Sequence, residues 1–257
     1  VEEGDTVYES IDITIQPQIS MVVMDQATGY VKGIVGGRGE KTASLSLNRA
    51  TDTTRQPGST FKIVSTYAPA LDSAGMTLAS TQYDAPYYYD EGKGKAVRNA
   101  GRSYSGWTSY REGIRRSINI VAVKTLTDIT PELGATYVQN FGITTLQTEL
   151  DSGGNGDVGQ AMALGGLTNG VKNVELTAAF ATIANGGVYT EPVFYTRILD
   201  HDGNVLIDNT VSTTRTVLKD TTAWLLTNAM QDVVTSGTGT RANFSGMTIA
   251  GKTGTTT

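Results

Sequence analysis

The chain has 257 residues, 20 of them basic and 25 acidic, for a net charge of −5, with no cysteine and a single histidine, His201. That length permits one large domain or two small ones with a substantial core. The acidic balance argues against a nucleic-acid partner, which would need a basic face to displace counterions. Without cysteine there is no disulfide, no thiolate zinc site and no cysteine nucleophile. A Ser-His-Asp triad would rest on His201 alone, and no metal or cofactor is expected.

The longest apolar runs, such as Met21 to Met24 and Ile120 to Val123, fall far short of the roughly 20 residues of a membrane-spanning helix. The chain opens on Val1-Glu2-Glu3-Gly4-Asp5, not on a basic and then apolar leader. Either the native protein is soluble or an anchor lies outside this chain. The 30 glycines are spread along the sequence and read as turns.

In chain order, Gln18 to Asp25 and Tyr30 to Val35 form a hairpin turning at Gly29. Residues 60–72 read as a helix after Gln56-Pro57-Gly58, kinked or closed by Pro69. Residues 73–107 are polar, tyrosine-rich and glycine-spaced, an extended surface segment. Ser109 and Glu112 make a capping box for a short helix to Arg116, and a second helix runs from Ile120 to Thr127. Thr130-Pro131-Glu132 starts another helix, which ends at Gly142. Asn173 caps an alanine-rich helix that ends at Asn185-Gly186-Gly187. Val193 to Leu199 and Val205 to Asp208 flank a turn at Asp200-His201-Asp202-Gly203-Asn204. Asp220 starts a helix to Thr235, and Met247 to Thr253 reads as a last strand. Strands at both ends with helices between them indicate an α+β domain whose sheet joins distant parts of the chain.

The first chemical feature is Arg55-Gln56-Pro57-Gly58-Ser59-Thr60-Phe61-Lys62. A helix beginning at Ser59 puts Lys62 one turn on, on the same face. Orphan N–H groups at a helix start favour negative charge developing on the hydroxyl. A lysine made neutral by burial or by another cation can take the hydroxyl proton. The same residues also fit a capping serine beside a solvated lysine. The second feature, Ser117-Ile118-Asn119, fits a helix cap equally well, and Ser46-Leu47-Asn48 repeats its pattern. Lys252-Thr253-Gly254-Thr255 is rarer: its glycine permits close backbone approach, and its lysine and threonines offer donors to an anion. Gly154-Asn155-Gly156-Asp157-Val158-Gly159 matches a dinucleotide fingerprint but follows no strand, and it is read as a loop. His201 reads as an exposed turn residue, and Tyr87-Tyr88-Tyr89 with Gly92-Lys93-Gly94-Lys95 as a surface loop.

The order S-x-x-K, S-x-N, K-T-G, each in its own local context, resembles the signature of penicillin-binding proteins and serine β-lactamases. The chain is similar to the transpeptidase domain of bifunctional (class A) penicillin-binding proteins over roughly residues 10–257. The likeness also runs through Asn48-Arg49-Ala50, Ala163-Leu164-Gly165-Gly166, the Glu175 to Gly187 helix and Ser236-Gly237-Thr238-Gly239-Thr240. Ile63 replaces a proline common after the motif lysine.

The resemblance implies a penicillin-binding protein/serine β-lactamase-like fold, an antiparallel sheet flanked by helices with a helical subdomain. It implies that residues 1–257 are a transpeptidase domain incomplete at its C-terminus, with two further strands and a helix expected downstream and the first hairpin packed on them. A glycosyltransferase domain and a membrane anchor are expected upstream, at the extracytoplasmic face of the cell membrane. The implied partners are peptidoglycan stem peptides on lipid II-derived glycan strands, and β-lactams. The implied catalytic residues are Ser59 as nucleophile, Lys62 as base, Ser117 as proton relay and Lys252. Asn119, Thr253, Gly254 and Thr255 would bind substrate, and the N–H groups of Ser59 and Thr255 would form the oxyanion hole. A β-lactamase would add a deacylating glutamate, for which Glu132 and Glu149 lack the usual context. A carboxypeptidase would hydrolyse the same acyl-enzyme, and a β-lactam sensor would keep it.

Overall fold

A computed structural model describes residues 16–256 apart from Asn155. Strands β1 (Met21–Met24) and β2 (Val31–Val35) form the expected antiparallel hairpin, with Met21 opposite Val35. Asp25 Oδ1 accepts from the N–H groups of Ala27 and Thr28 and sets the turn. Gly29 follows at φ +76°, and a Cβ there would run into the Glu191 carbonyl.

After the two-residue strand β3 (Thr54–Arg55), the chain winds without interruption but in three pitches. Gly58–Thr60 is a 3₁₀ turn, Ile63–Tyr67 is π-helical and wholly buried, and α1 (Ala68–Asp72) is α-helical. The change of pitch has a local cause. Pro69 has no N–H for the Ser65 carbonyl, and the Ala68 N–H bonds five residues back to Ile63 instead. The Ser65 carbonyl faces Gly134, where a Cβ would come within 2.6 Å of it.

Residues 73–107 are more ordered than the sequence suggests. They hold β4 (Thr81–Asp84), β5 (Tyr87–Tyr88) and β6 (Ala96–Val97), followed by β7 (Gly106–Ser109). β4 pairs with β7 and β5 with β6. Tyr87 and Tyr89 pack against the core, so the tyrosine run is not a free surface loop.

Ser109 caps α2 (Tyr110–Arg115) through the Glu112 N–H at 3.3 Å. The capping box is only half made, because the Glu112 carboxylate pairs with Arg115 at 2.7 Å. α3 (Asn119–Ile129) and α4 (Pro131–Asn140) follow, and Thr130 caps α4 through the Leu133 N–H. Gly142 ends α4 at φ +86°. β8 (Val171–Lys172) pairs with β3 and leads into α5 (Asn173–Ala184). Asn173 is the first residue of α5, not its cap, because its amide is drawn to the Ser20 hydroxyl at 3.0 Å.

β9 (Val188–Thr190), β10 (Arg197–Leu199), β11 (Val205–Asp208) and β12 (Thr214–Thr216) follow. β10 pairs with β11 across the expected turn, and β9 with β12. α6 (Asp220–Ser236) is the longest helix among the described residues. The expected strand over 247–253 forms no ladder, and the Gly251 N–H bonds to Met230 O on α6 instead. Among the described residues, six two-stranded antiparallel ladders stand where one end-to-end sheet was expected.

The core lies between α1, α3 and α6. Ile120, Val121, Ala122, Val123 and Leu126 of α3 are fully buried, with Phe61, Ile63 and Val64 from the serine segment and Leu226 and Val233 from α6. A helix buried around most of its circumference holds its N-terminus in a fixed place, and that N-terminus carries the second motif.

Candidate active site

Lys62 is fully buried, one turn beyond Ser59. Its ammonium donates to Ser117 O at 2.7 Å, to Ser117 Oγ at 3.2 Å and to Asn119 Oδ1 at 2.6 Å. Lys252 Nζ reaches the same hydroxyl, Ser117 Oγ, at 2.7 Å, and its own neighbour's carbonyl, Thr253 O, at 2.8 Å. Ser117 Oγ therefore sits between two lysines from opposite ends of the chain. Among the described residues, the hydrogen bonds of both ammoniums go to uncharged oxygens and none to a carboxylate.

Burial lowers the Lys62 pKa well below its ordinary 10.5, and the neighbouring Lys252 charge lowers it further. Burial also brings Lys252 down to about 8. Both causes expected from the sequence act on Lys62, desolvation first and like-charge repulsion from Lys252 second.

Ser117 reaches this position through backbone strain. It sits at φ +55°, in the left-handed region that bulky residues avoid. It does not cap α3, so the capping role open from the sequence is excluded by geometry. Asn119 is held at both ends of its amide: Oδ1 receives Lys62, and Nδ2 donates to Arg98 O at 2.7 Å.

Residues 252–255 lie against the serine turn. Gly58 is at φ +56°, and a Cβ there would strike the Thr255 carbonyl. A Cβ on Gly254 would lie 2.7 Å from Pro57 O and 2.9 Å from Thr60 Cγ2. Gly165, also left-handed at φ +72°, packs on the same residue, where a Cβ would lie 2.5 Å from Gly58 O. Three glycines therefore let three backbone segments meet around Ser59, which is half-buried. Thr253 Oγ1 lies 2.6 Å from Thr238 Oγ1.

The structure thus joins Lys62, Ser117, Asn119 and Lys252 in one hydrogen-bonded cluster and lays residues 254–255 against the turn that carries Ser59. Thr238 received no role from the sequence, although it stands in a stretch that carried the resemblance. Asn99 and Arg98, which touch Asn119, gave no motif signal. Glu132 lies in the first turn of α4. His201 is 89% exposed in its turn and pairs with Asp202 at 3.1 Å. Among the described residues, no group of three or more His, Cys, Asp or Glu is placed to hold a metal ion.

The fold is that of the penicillin-binding and β-lactamase-like class. A crystal structure of penicillin-binding protein 1A from Haemophilus influenzae superposes with a TM-score of 0.76 at 24% identity, over 93% of this chain and 40% of that one. Penicillin-binding protein A from Mycobacterium tuberculosis, solved as an imipenem acyl-enzyme complex, superposes at 0.69 with 23% identity, over 80% of this chain and 50% of that one. The family model of the penicillin binding protein transpeptidase domain matches residues 19–257, and the chain belongs to that family. Penicillin-binding protein 1A of Clostridium botulinum (strain Langeland) is 37% identical over 96% of this chain and 30% of its own length. Penicillin-binding protein 1F of Bacillus subtilis is 37% identical over 92% of this chain and 31% of its own length. The chain therefore spans less than a third of the length of these curated relatives.

Proposed function

We propose that the chain is a serine D,D-transpeptidase unit that cross-links peptidoglycan stem peptides and is acylated by β-lactams. The observation that carries this reading is the fully buried Lys62 hydrogen-bonded to Ser117 and Asn119, with Lys252 on the same Ser117 hydroxyl.

Ser59 Oγ attacks the carbonyl of the penultimate D-alanine. Neutral Lys62 takes the hydroxyl proton, and the N–H groups of Ser59 and Thr255 receive the charge that develops on the carbonyl oxygen. Loss of one such donor typically slows a reaction about 10²–10³-fold. The proton passes through Ser117 to the leaving amine, and terminal D-alanine departs. An amine of a second stem peptide then attacks the acyl-enzyme, restoring Ser59 and forming the cross-link. Asn119 binds the substrate amide with its remaining donor and acceptor positions, and Thr253, Gly254 and Thr255 hold the terminal carboxylate. A β-lactam, which mimics that terminus, acylates Ser59 and stays. The imipenem acyl-enzyme of the M. tuberculosis neighbour supports this extension by its fold.

For the full-length protein the proposal includes an upstream glycosyltransferase domain and a membrane anchor, with the site outside the cytoplasmic membrane; the relatives, of whose length this chain spans less than a third, leave room for them. Among the described residues, no helix is long and apolar enough to cross a membrane. A transpeptidase fits better than a β-lactamase, since the lysine cluster has no carboxylate partner among the described residues.

Intact-mass spectrometry of the full-length protein after benzylpenicillin, with peptide mapping, tests the reading. One stable adduct on the Ser59 peptide is expected, absent in Ser59→Ala. An adduct that persists in Ser59→Ala, or fast release of hydrolysed penicillin, overturns it.

A further inference from the structure

The N-terminus of α3 presents orphan N–H groups that a local residue normally caps. The residue at the cap position is Ile118, which has no suitable side chain, and Ser117 directs its hydroxyl to the two lysines. The cap comes instead from a loop 20 residues upstream. Asn99 Oδ1 accepts from the N–H groups of both Asn119 and Ile120, at 3.1 and 3.2 Å. An amide can sit either way round, and the groups behind Asn99 select one way. Its Nδ2 donates to Asp84 Oδ1 at 2.8 Å and to Ser103 O at 3.0 Å. Asp84 is a buried carboxylate, whose other oxygen accepts the Ser105 N–H at 2.8 Å. An acceptor-only group behind Asn99 forces the NH₂ end backward and the oxygen toward the helix.

We infer that Asn99, oriented by Asp84, is a positioning residue of the active site: it caps α3 in place of Ser117 and thereby leaves the Ser117 hydroxyl to the lysine pair. The adjacent Arg98 carbonyl holds the Asn119 side chain, so one short stretch fixes both the backbone and the amide of Asn119. Without the cap, Ser117 is drawn from its left-handed conformation toward the helix N–H groups it would otherwise serve. The inference rests on the acyl-transfer reading only for its kinetic consequence.

The test uses the full-length protein with Asn99→Ala, Asn99→Asp, Asp84→Asn and the exchanged pair Asp84→Asn/Asn99→Asp. Acylation by a fluorescent penicillin is followed per titratable site, which removes any unfolded fraction. Asn99→Ala and Asp84→Asn should acylate about 10–100-fold more slowly, the range a small misplacement produces. Asn99→Asp, which sets two carboxylates face to face, should be the slowest of the capping variants. The exchanged pair restores a donor facing an acceptor between residues 84 and 99 and keeps oxygens toward the α3 and Ser105 N–H groups, leaving only the Ser103 carbonyl unmatched, and should acylate faster than Asn99→Asp. Wild-type rates per site in Asn99→Ala, or an exchanged pair no faster than Asn99→Asp, would overturn the inference.

A second measurement does not depend on acylation. Hydrogen exchange at the Asn119 and Ile120 amides should rise at least about 5-fold in Asn99→Ala, consistent with loss of a cap, and fall back in the exchanged pair. Unchanged exchange would overturn the inference. If benzylpenicillin fails to acylate Ser59 in the wild type, the functional reading fails, and the exchange data still decide the positioning.

Discussion

Helices α3 and α4 are neighbours in sequence, and a non-glycine residue at positive φ stands just before each, Ser117 at φ +55° and Thr130 at φ +71°. Their starts are otherwise opposite. α4 begins with a hydroxyl that accepts the Leu133 N–H, a proline in the first turn and Glu132 at the positive end of the dipole. Everything it needs lies within three residues. α3 begins with a serine turned away from its own helix and a cap borrowed from Asn99. A helix start that serves only the fold is built locally. One that serves chemistry gives its hydroxyl to the site and takes its cap from elsewhere.

The sharpest way to break this contrast is at the group the α3 hydroxyl serves. Lys62→Arg keeps a cation but no amine that can become neutral. Acylation by benzylpenicillin, measured by stopped flow, is expected to fall by about 10³-fold or more, within the range of general-base catalysis and its geometry. The same exchange of charge-equivalent residues has no counterpart in α4, where no lysine is involved. Gly58→Ala comes next. Its added methyl and its left-handed backbone both push residues 254–255 away from Ser59. Acylation should drop about 10²-fold, with a crystal structure showing the 252–255 segment displaced.

Lys252 sharpens the comparison through pH. Its pKa is about 8 in the folded protein against 10.5 ordinarily, so the unfolded chain binds more protons between these values. Its contribution to stability is therefore complete above about 10.5 and lost as pH falls toward 8. Urea unfolding of wild type relative to Lys252→Met should show wild type gaining stability as pH rises through that window. A flat difference would place Lys252 in water. The smallest effect belongs to α4. Thr130→Ala should cost about 1 kcal/mol of stability by denaturant unfolding, with the acylation rate per site unchanged.

The same two helix starts show how far the sequence could be read. α4, the β1–β2 turn at Gly29 and the β10–β11 turn were legible because their determinants are adjacent residues with one conformational meaning. The S-x-x-K, S-x-N and K-T-G triplets were legible as motifs, each ambiguous alone and specific in order. What could not be read is what depends on distant partners. Asn173 looked like a cap because nothing local reveals that Ser20 takes its amide. Asn99 looked like a loop residue because its role is set by Asp84, 15 residues before it, and α3, 20 residues after it. Residues 247–253 have strand composition, but a strand also needs a neighbour, and among the described residues the segment finds α6 instead. The π-helical stretch follows from Pro69 once the helix is known, but not its placement inside the core.

The central claim is that burial, with the Lys252 charge beside it, lowers the Lys62 pKa at the Ser117 hydroxyl so that its neutral amine can act as the base, and titrating that amine tests it most directly. With lysines labelled at the side chain, NMR should show Lys62 losing its proton well below 10.5, the direction its burial and the Lys252 charge impose. The acid limb of the acylation rate should have the same midpoint, with the rate falling as pH drops through it. A Lys62 that titrates near 10.5, or an acid limb that keeps its midpoint while the Lys62 titration moves in Lys252→Met, would contradict the account.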